Sequence, residues 1–133
     1  MRSLLISLLL LLSFNVRARE PSFMGKSPKD GLWEALEYYD IHHKEIVYAQ
    51  AIWESGYFKS HYCKKYNNLF GLGGSRRPMK FKHWWESVKA YKNLIQKRYR
   101  KGEDYFQFLK RIKYASDPNY KKHIKSVMKK HGY

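Results

Sequence analysis

Apolar residues recur at intervals of three and four in five stretches of this chain, and nowhere do they alternate convincingly with polar ones as a strand requires. That pattern restricts the chain to helices packed on a shared core. Leu32, Ala35, Leu36 and Tyr39 keep the i, i+3, i+4, i+7 spacing, with Ser27, Pro28 and Asp30 ahead of them as start signals. A second helix is expected from about Ile41 to Ser55, with Val47, Ala51 and Ile52 facing inward and Gly56 as its stop. Trp84, Val88, Tyr91 and Ile95 mark a third, and Tyr105, Phe108, Leu109 and Ile112 a fourth. The last follows "SDPNY", with Asp117 as N-cap, Pro118 as first helical residue and Tyr120, Ile124, Val127 and Met128 as its apolar face. The expectation is a mostly α, compact single domain with little or no β-structure, since 133 residues are too few for two ordinary cores. The polar stretch "REPSFMGKSPKD" reads as a lead-in over residues 19–30, which leaves residues 31–133 as the domain.

Residues 1–18 have a different character. A basic start, an apolar run from Leu4 to Phe14 and the small-residue pattern Val16-Arg17-Ala18 read as a secretory signal peptide, and the run is shorter than the roughly 20 residues of a bilayer crossing. A released product, secreted or periplasmic at the cell envelope and without stable membrane insertion, is expected. Removing residues 1–18 takes away Arg2 and Arg17 and no acid, leaving 25 basic residues against 11 acidic ones. Such a charge draws anionic partners without choosing among them. Export favours envelope polymers over nucleic acid, and the basic tracts "KKYNN", "KRYRK" and "MKKHG" read more simply as solvated helix faces than as a specific nucleic-acid site. A monomer is expected.

Cys63 is the one cysteine, so no disulfide within the chain can staple the fold, and nothing around it has the grammar of a nucleophile. His42 and His43 are neighbours and the other histidines are scattered, which is not zinc-site spacing. No metal and no cofactor are expected.

One residue sits awkwardly in this helical pattern. Glu54 falls seven residues after Val47 and three after Ala51, on the apolar stripe of the second helix and just before its stop. A carboxylate held there beside Trp53 loses hydration, which raises its pKa toward that of a general acid working near neutrality. A cap or a salt bridge to a nearby lysine is the plain alternative. The surrounding residues favour the first reading. "AQAIWESGYFKS" followed by "NNLFGLGG", then "FKHWWESVKAYKNLI" and "YASDPNYKKHIKSVM", resemble in order the bacterial glucosaminidase family of cell-wall autolysins over roughly residues 31–133.

The resemblance implies a lysozyme-like helical fold and hydrolysis of the β-1,4 bond after N-acetylglucosamine in peptidoglycan, with Glu54 as general acid. It implies that "NNLFG" floors a groove, where Asn67 and Asn68 hydrogen-bond N-acetyl groups and Phe70 packs on a sugar. Tyr114 is implied beside the acid, while Tyr120 reads as core. Trp84 and Trp85 are adjacent and cannot share one helical face, so one of them, named here as Trp84, is a candidate for sugar stacking. The chain departs from the family in one respect: the segment from Gly74 to Trp84 is short and holds no acid, where many members carry a second carboxylate. Glu86 is the nearest substitute in sequence and has the place of a helix-start residue; assistance by the substrate's own acetamido group is the other route. A lytic transglycosylase or muramidase-type wall lyase, and a catalytically idle basic glycan-binding module, remain the alternative readings.

Overall fold

A computed structural model describes residues 19–133. The export segment of residues 1–18 lies outside the described residues. Six α-helices follow one another, α1 (Pro28–Tyr38), α2 (Lys44–Glu54), α3 (His61–Tyr66), α4 (Trp84–Leu94), α5 (Tyr105–Arg111) and α6 (Tyr120–Lys130), with short 3-10 turns at Ser22–Gly25 and Gln96–Arg98. Among the described residues there is no strand, and no helix is long and apolar enough to cross a membrane.

Helix α1 starts where its signals place it, with Pro28 in the first turn and the Ser27 side chain accepting from Asp30 N. Its end explains why α2 begins at Lys44 rather than near Ile41. Asp40 takes a left-handed φ of 51° and Ile41 N bonds back to Leu36 O, so Ile41 closes α1 and buries its side chain there. At the other end of α2, Tyr57 N reaches Ile52 O across Gly56, the expected stop.

The core is the set of stripes read from the spacing, with Leu32, Ala35 and Leu36 from α1, Val47, Ala51 and Ile52 from α2, Val88 and Tyr91 from α4, Phe108 and Leu109 from α5, and Ile124 and Val127 from α6. Helix α2 packs along α6 and against α1, and α1 in turn meets α4. Three features of the fold differ from the periodic reading. The lead-in is part of the structure, since Phe23 is wholly buried and meets Trp84 at 6.1 Å between ring centroids. Short helix α3, with Ser60 capping Cys63 N, was hidden in "SHYCKKY" because a single turn and a half carries too few apolar positions to show a period. The last helix starts at Tyr120, later than expected, because Asp117 uses its side chain and carbonyl to close the preceding turn onto Asn119 N and Tyr120 N.

Candidate active site

Glu54 is the last residue of α2, and the helix end carries it out of the core to the wall of a cleft of about 270 Å³. Across the cleft lie the loop from Phe70 to Gly74, Ile95 and Arg98 after α4, and the segment Ile112–Tyr114 before α6. Gly71, at φ 64°, holds its backbone so close that a Cβ there would stand 3.5 Å from Glu54 Oε2. The loop is folded tightly on itself beyond that point. Gly73, at φ 86°, has no room for a side chain, since a Cβ would fall 2.3 Å from Arg77 O.

Burial raises the Glu54 carboxyl above its ordinary range, and the hydroxyl of Tyr120 pulls it partly back. The direction is the one expected from the stripe, though Trp53 is not on the cleft wall. That indole is 37% exposed and lies parallel to the His123 ring at 4.5 Å, and Asp117 holds His123 from 3.2 Å. Neighbours far along the chain surround Glu54 instead: Tyr114, Tyr120 and the Phe70–Gly71 backbone. Tyr114 donates to Phe70 O at 2.7 Å, tying the loop to the segment before α6, and burial with the nearby Tyr120 and Glu54 groups pushes its phenol well above the usual range.

The residues of "NNLFG" build the cleft from behind. Asn67 takes the left-handed C-cap of α3 and donates from Nδ2 to Phe81 O and Lys82 O at 3.1 and 2.9 Å. Asn68 is buried, donating to Leu72 O and Met79 O while its Oδ1 accepts from Phe70 N and Leu72 N. The Asn68 amide is thus spent on the loop at both its nitrogen and its oxygen, whereas part-buried Asn67 is tied down through Nδ2. The Phe70 ring is buried 4.5 Å from that of Tyr91, so what Phe70 offers the cleft is mainly its main chain. Trp84 is also core: its Nε1 donates to Lys26 O at 2.8 Å, and it is absent from the cleft wall. Trp85 is half-buried and stacks on His83.

Among the described residues Glu54 is the one carboxylate on the cleft wall, where Arg98 and Lys113 supply positive charge. Glu86 does not join it. At the start of α4 its carboxylate accepts from Lys82 N at 3.3 Å and faces the Tyr39 phenol of the α1 end, the helix-start role that its position suggested. Sequence reasoning missed two neighbours of the acid. Gln50, one turn before Glu54 on the same stripe, is completely buried, and a glutamine among apolar inward positions was a readable sign. Tyr120 is core as expected, but it also stands beside the carboxyl. Cys63 is buried and its thiol is pushed up by that burial, the state of a packed rather than a reactive sulfur. Replacing Cys63 by Ala is expected to leave turnover per folded molecule within about twofold and to cost roughly 1 kcal/mol of stability, measurable by thermal melting beside a hydrolysis assay.

The described residues form a small all-helical domain with a partly buried carboxyl on an open cleft, and the family match that follows places this domain in the lysozyme-like superfamily. The chain belongs to the glucosaminidase family: the family model described as mannosyl-glycoprotein endo-beta-N-acetylglucosaminidase matches residues 29–133. Membership brings with it the general activity of a glycoside hydrolase acting on peptidoglycan. No curated protein and no solved structure matches the chain.

Proposed function

We propose that this protein hydrolyses the β-1,4 bond after N-acetylglucosamine in peptidoglycan, with Glu54 as general acid. The observation that carries the reading is the placement of the Glu54 carboxyl, part-buried at the cleft wall and raised by that burial. A carboxyl that keeps its proton nearer neutrality can deliver it to the departing glycosidic oxygen. Tyr114, anchored through Phe70 O, holds the loop opposite the acid and keeps that wall of the cleft in place. With Glu54 the one carboxylate on the wall among the described residues, attack at the anomeric carbon is assigned to the acetamido oxygen of the substrate. That oxygen bonds to C1 as the C1–O bond to the leaving sugar breaks and Glu54 gives up its proton. Water then opens the cyclic intermediate and returns a proton to Glu54.

The apolar run of Leu4–Phe14 supports export to the envelope, and the formal charge of +16 over the whole sequence supports attraction to anionic wall polymers. A lone acid also suits a lytic transglycosylase, in which the C6 hydroxyl of muramic acid closes on its own anomeric carbon. Mass spectrometry of digested purified walls separates the two. Reducing N-acetylglucosamine ends are expected, and 1,6-anhydromuramic ends would overturn the assignment.

A further inference from the structure

The Glu54 carboxyl stands at the end of a run of buried polar side chains that extends through the core. The far end of the run is the peptide group of His42, whose N–H can only donate and whose carbonyl can only accept. Gln96 therefore has one admissible orientation, with Oε1 accepting from His42 N at 2.9 Å and Nε2 donating to His42 O at 2.7 Å. The same Nε2 lies 3.1 Å from the Tyr105 hydroxyl, which must accept. The Tyr105 proton is left for the Tyr91 oxygen 2.6 Å away, and the Tyr91 proton goes on to Gln50 Oε1 at 2.6 Å. Gln50, accepting at its oxygen, turns Nε2 to the Tyr120 oxygen at 3.0 Å. The Tyr120 proton then remains for Glu54, beside which that hydroxyl lies. Among the described residues no buried side-chain nitrogen or oxygen lacks a partner, as a run of mutually satisfied groups requires.

We infer that Tyr120, Gln50 and Tyr91 are positioning residues for Glu54, joined in a one-way hydrogen-bond chain whose sense is set by the His42 peptide and whose last proton is aimed at the acid. This rests on the reading of Glu54 as general acid. The chain makes the ionised carboxylate easier to hold, against the burial that opposes it, and it fixes which way the carboxyl faces. It also makes a distant residue matter. Without the Tyr91 proton, Gln50 is free to turn its oxygen toward Tyr120 and draw the phenol proton away from Glu54. The other titratable groups facing the acid are Tyr114 before α6, Arg98 after α4 and Lys113 after α5, and substitutions at Tyr91 or Tyr120 leave all three in place.

The test is a carbon-13 NMR titration of the whole folded protein, labelled at its glutamate carboxyls, with Glu54 assigned as the signal missing from Glu54→Gln. Tyr120→Phe is expected to raise the Glu54 midpoint by roughly one pH unit, the worth of a hydrogen bond to a charged group. Tyr91→Phe is expected to raise it in the same direction although it does not touch the acid, and the double variant no further than Tyr120→Phe alone. A merely structural role for Tyr91 would lower the melting temperature and leave the Glu54 midpoint where it was, which would overturn the inference. Should Tyr91→Phe not fold, Gln50→Leu tests the next link: it removes the N–H that Gln50 gives the Tyr120 oxygen and so weakens that hydroxyl as a donor, a smaller rise in the Glu54 midpoint is expected, and an unchanged midpoint would overturn the inference. The midpoint is read without any assay of turnover. Wall hydrolysis surviving in Glu54→Gln would instead sink the reading of the acid, a separate result.

Discussion

Glu54→Gln is expected to slow wall hydrolysis at least a hundredfold while the protein stays folded. Glutamine keeps the size of the side chain and can still accept from Tyr120, but it has no proton to give the leaving oxygen. General acid catalysis contributes about a hundredfold to ten-thousandfold, and the lower figure corresponds to about 3 kcal/mol of transition-state stabilisation. Stability should move the other way. The folded carboxyl sits above its ordinary value of 4.5, so the native state holds its proton over a range where the unfolded chain has already released it. The native state therefore loses stability as pH rises through that range, and a neutral amide removes the loss. The melting temperature of Glu54→Gln should match or exceed that of the parent near neutral pH, and any advantage should vanish below about pH 4. A variant that melts earlier but turns over normally would make Glu54 a structural cap and end its assignment as the acid.

Asn68→Ala is expected to cost on the order of 3 kcal/mol, a fall in melting temperature of roughly 10 °C. Four hydrogen bonds converge on this buried amide, and alanine would leave the carbonyl of Met79 and the amides of Phe70 and Leu72 without that partner, while Leu72 O would keep only its bond from Met79 N. Because that loop carries Gly71 against Glu54, turnover should fall along with stability. A residue that only gripped the N-acetyl group of a sugar would behave differently. Its loss would raise KM and leave the melting temperature unchanged, so thermal melting and steady-state kinetics on one preparation decide which role Asn68 has.

Most helices were legible because each buries one stripe, and a stripe is a local pattern: the residues of α1, α4 and α5 that recur at three and four are those the core takes up. The boundaries were less legible where short-range chemistry competed. Asp40 and His43 take left-handed φ values of 51° and 54° between α1 and α2, conformations that no spacing rule announces. Asp117 looked like a helix cap and serves a turn instead. Helix α3 and the buried Phe23 escaped because isolated apolar residues carry no period.

At the site the division is sharper. The sequence alone determined that a carboxylate lies on an inward stripe just before a glycine stop, and that the motifs around it are those of glucosaminidases, because both are properties of neighbours along the chain. Only the tertiary structure decided what surrounds that carboxylate. Trp53, next to it in sequence, turns away to His123, since adjacent helical residues point about 100° apart. Tyr114 and Tyr120, some sixty residues on, close over Glu54 because α6 packs along α2. Asn68, Phe70 and Trp84 have side chains suited to sugars, yet the loop and the core use them first, since a buried amide or ring takes the partners that packing brings nearest.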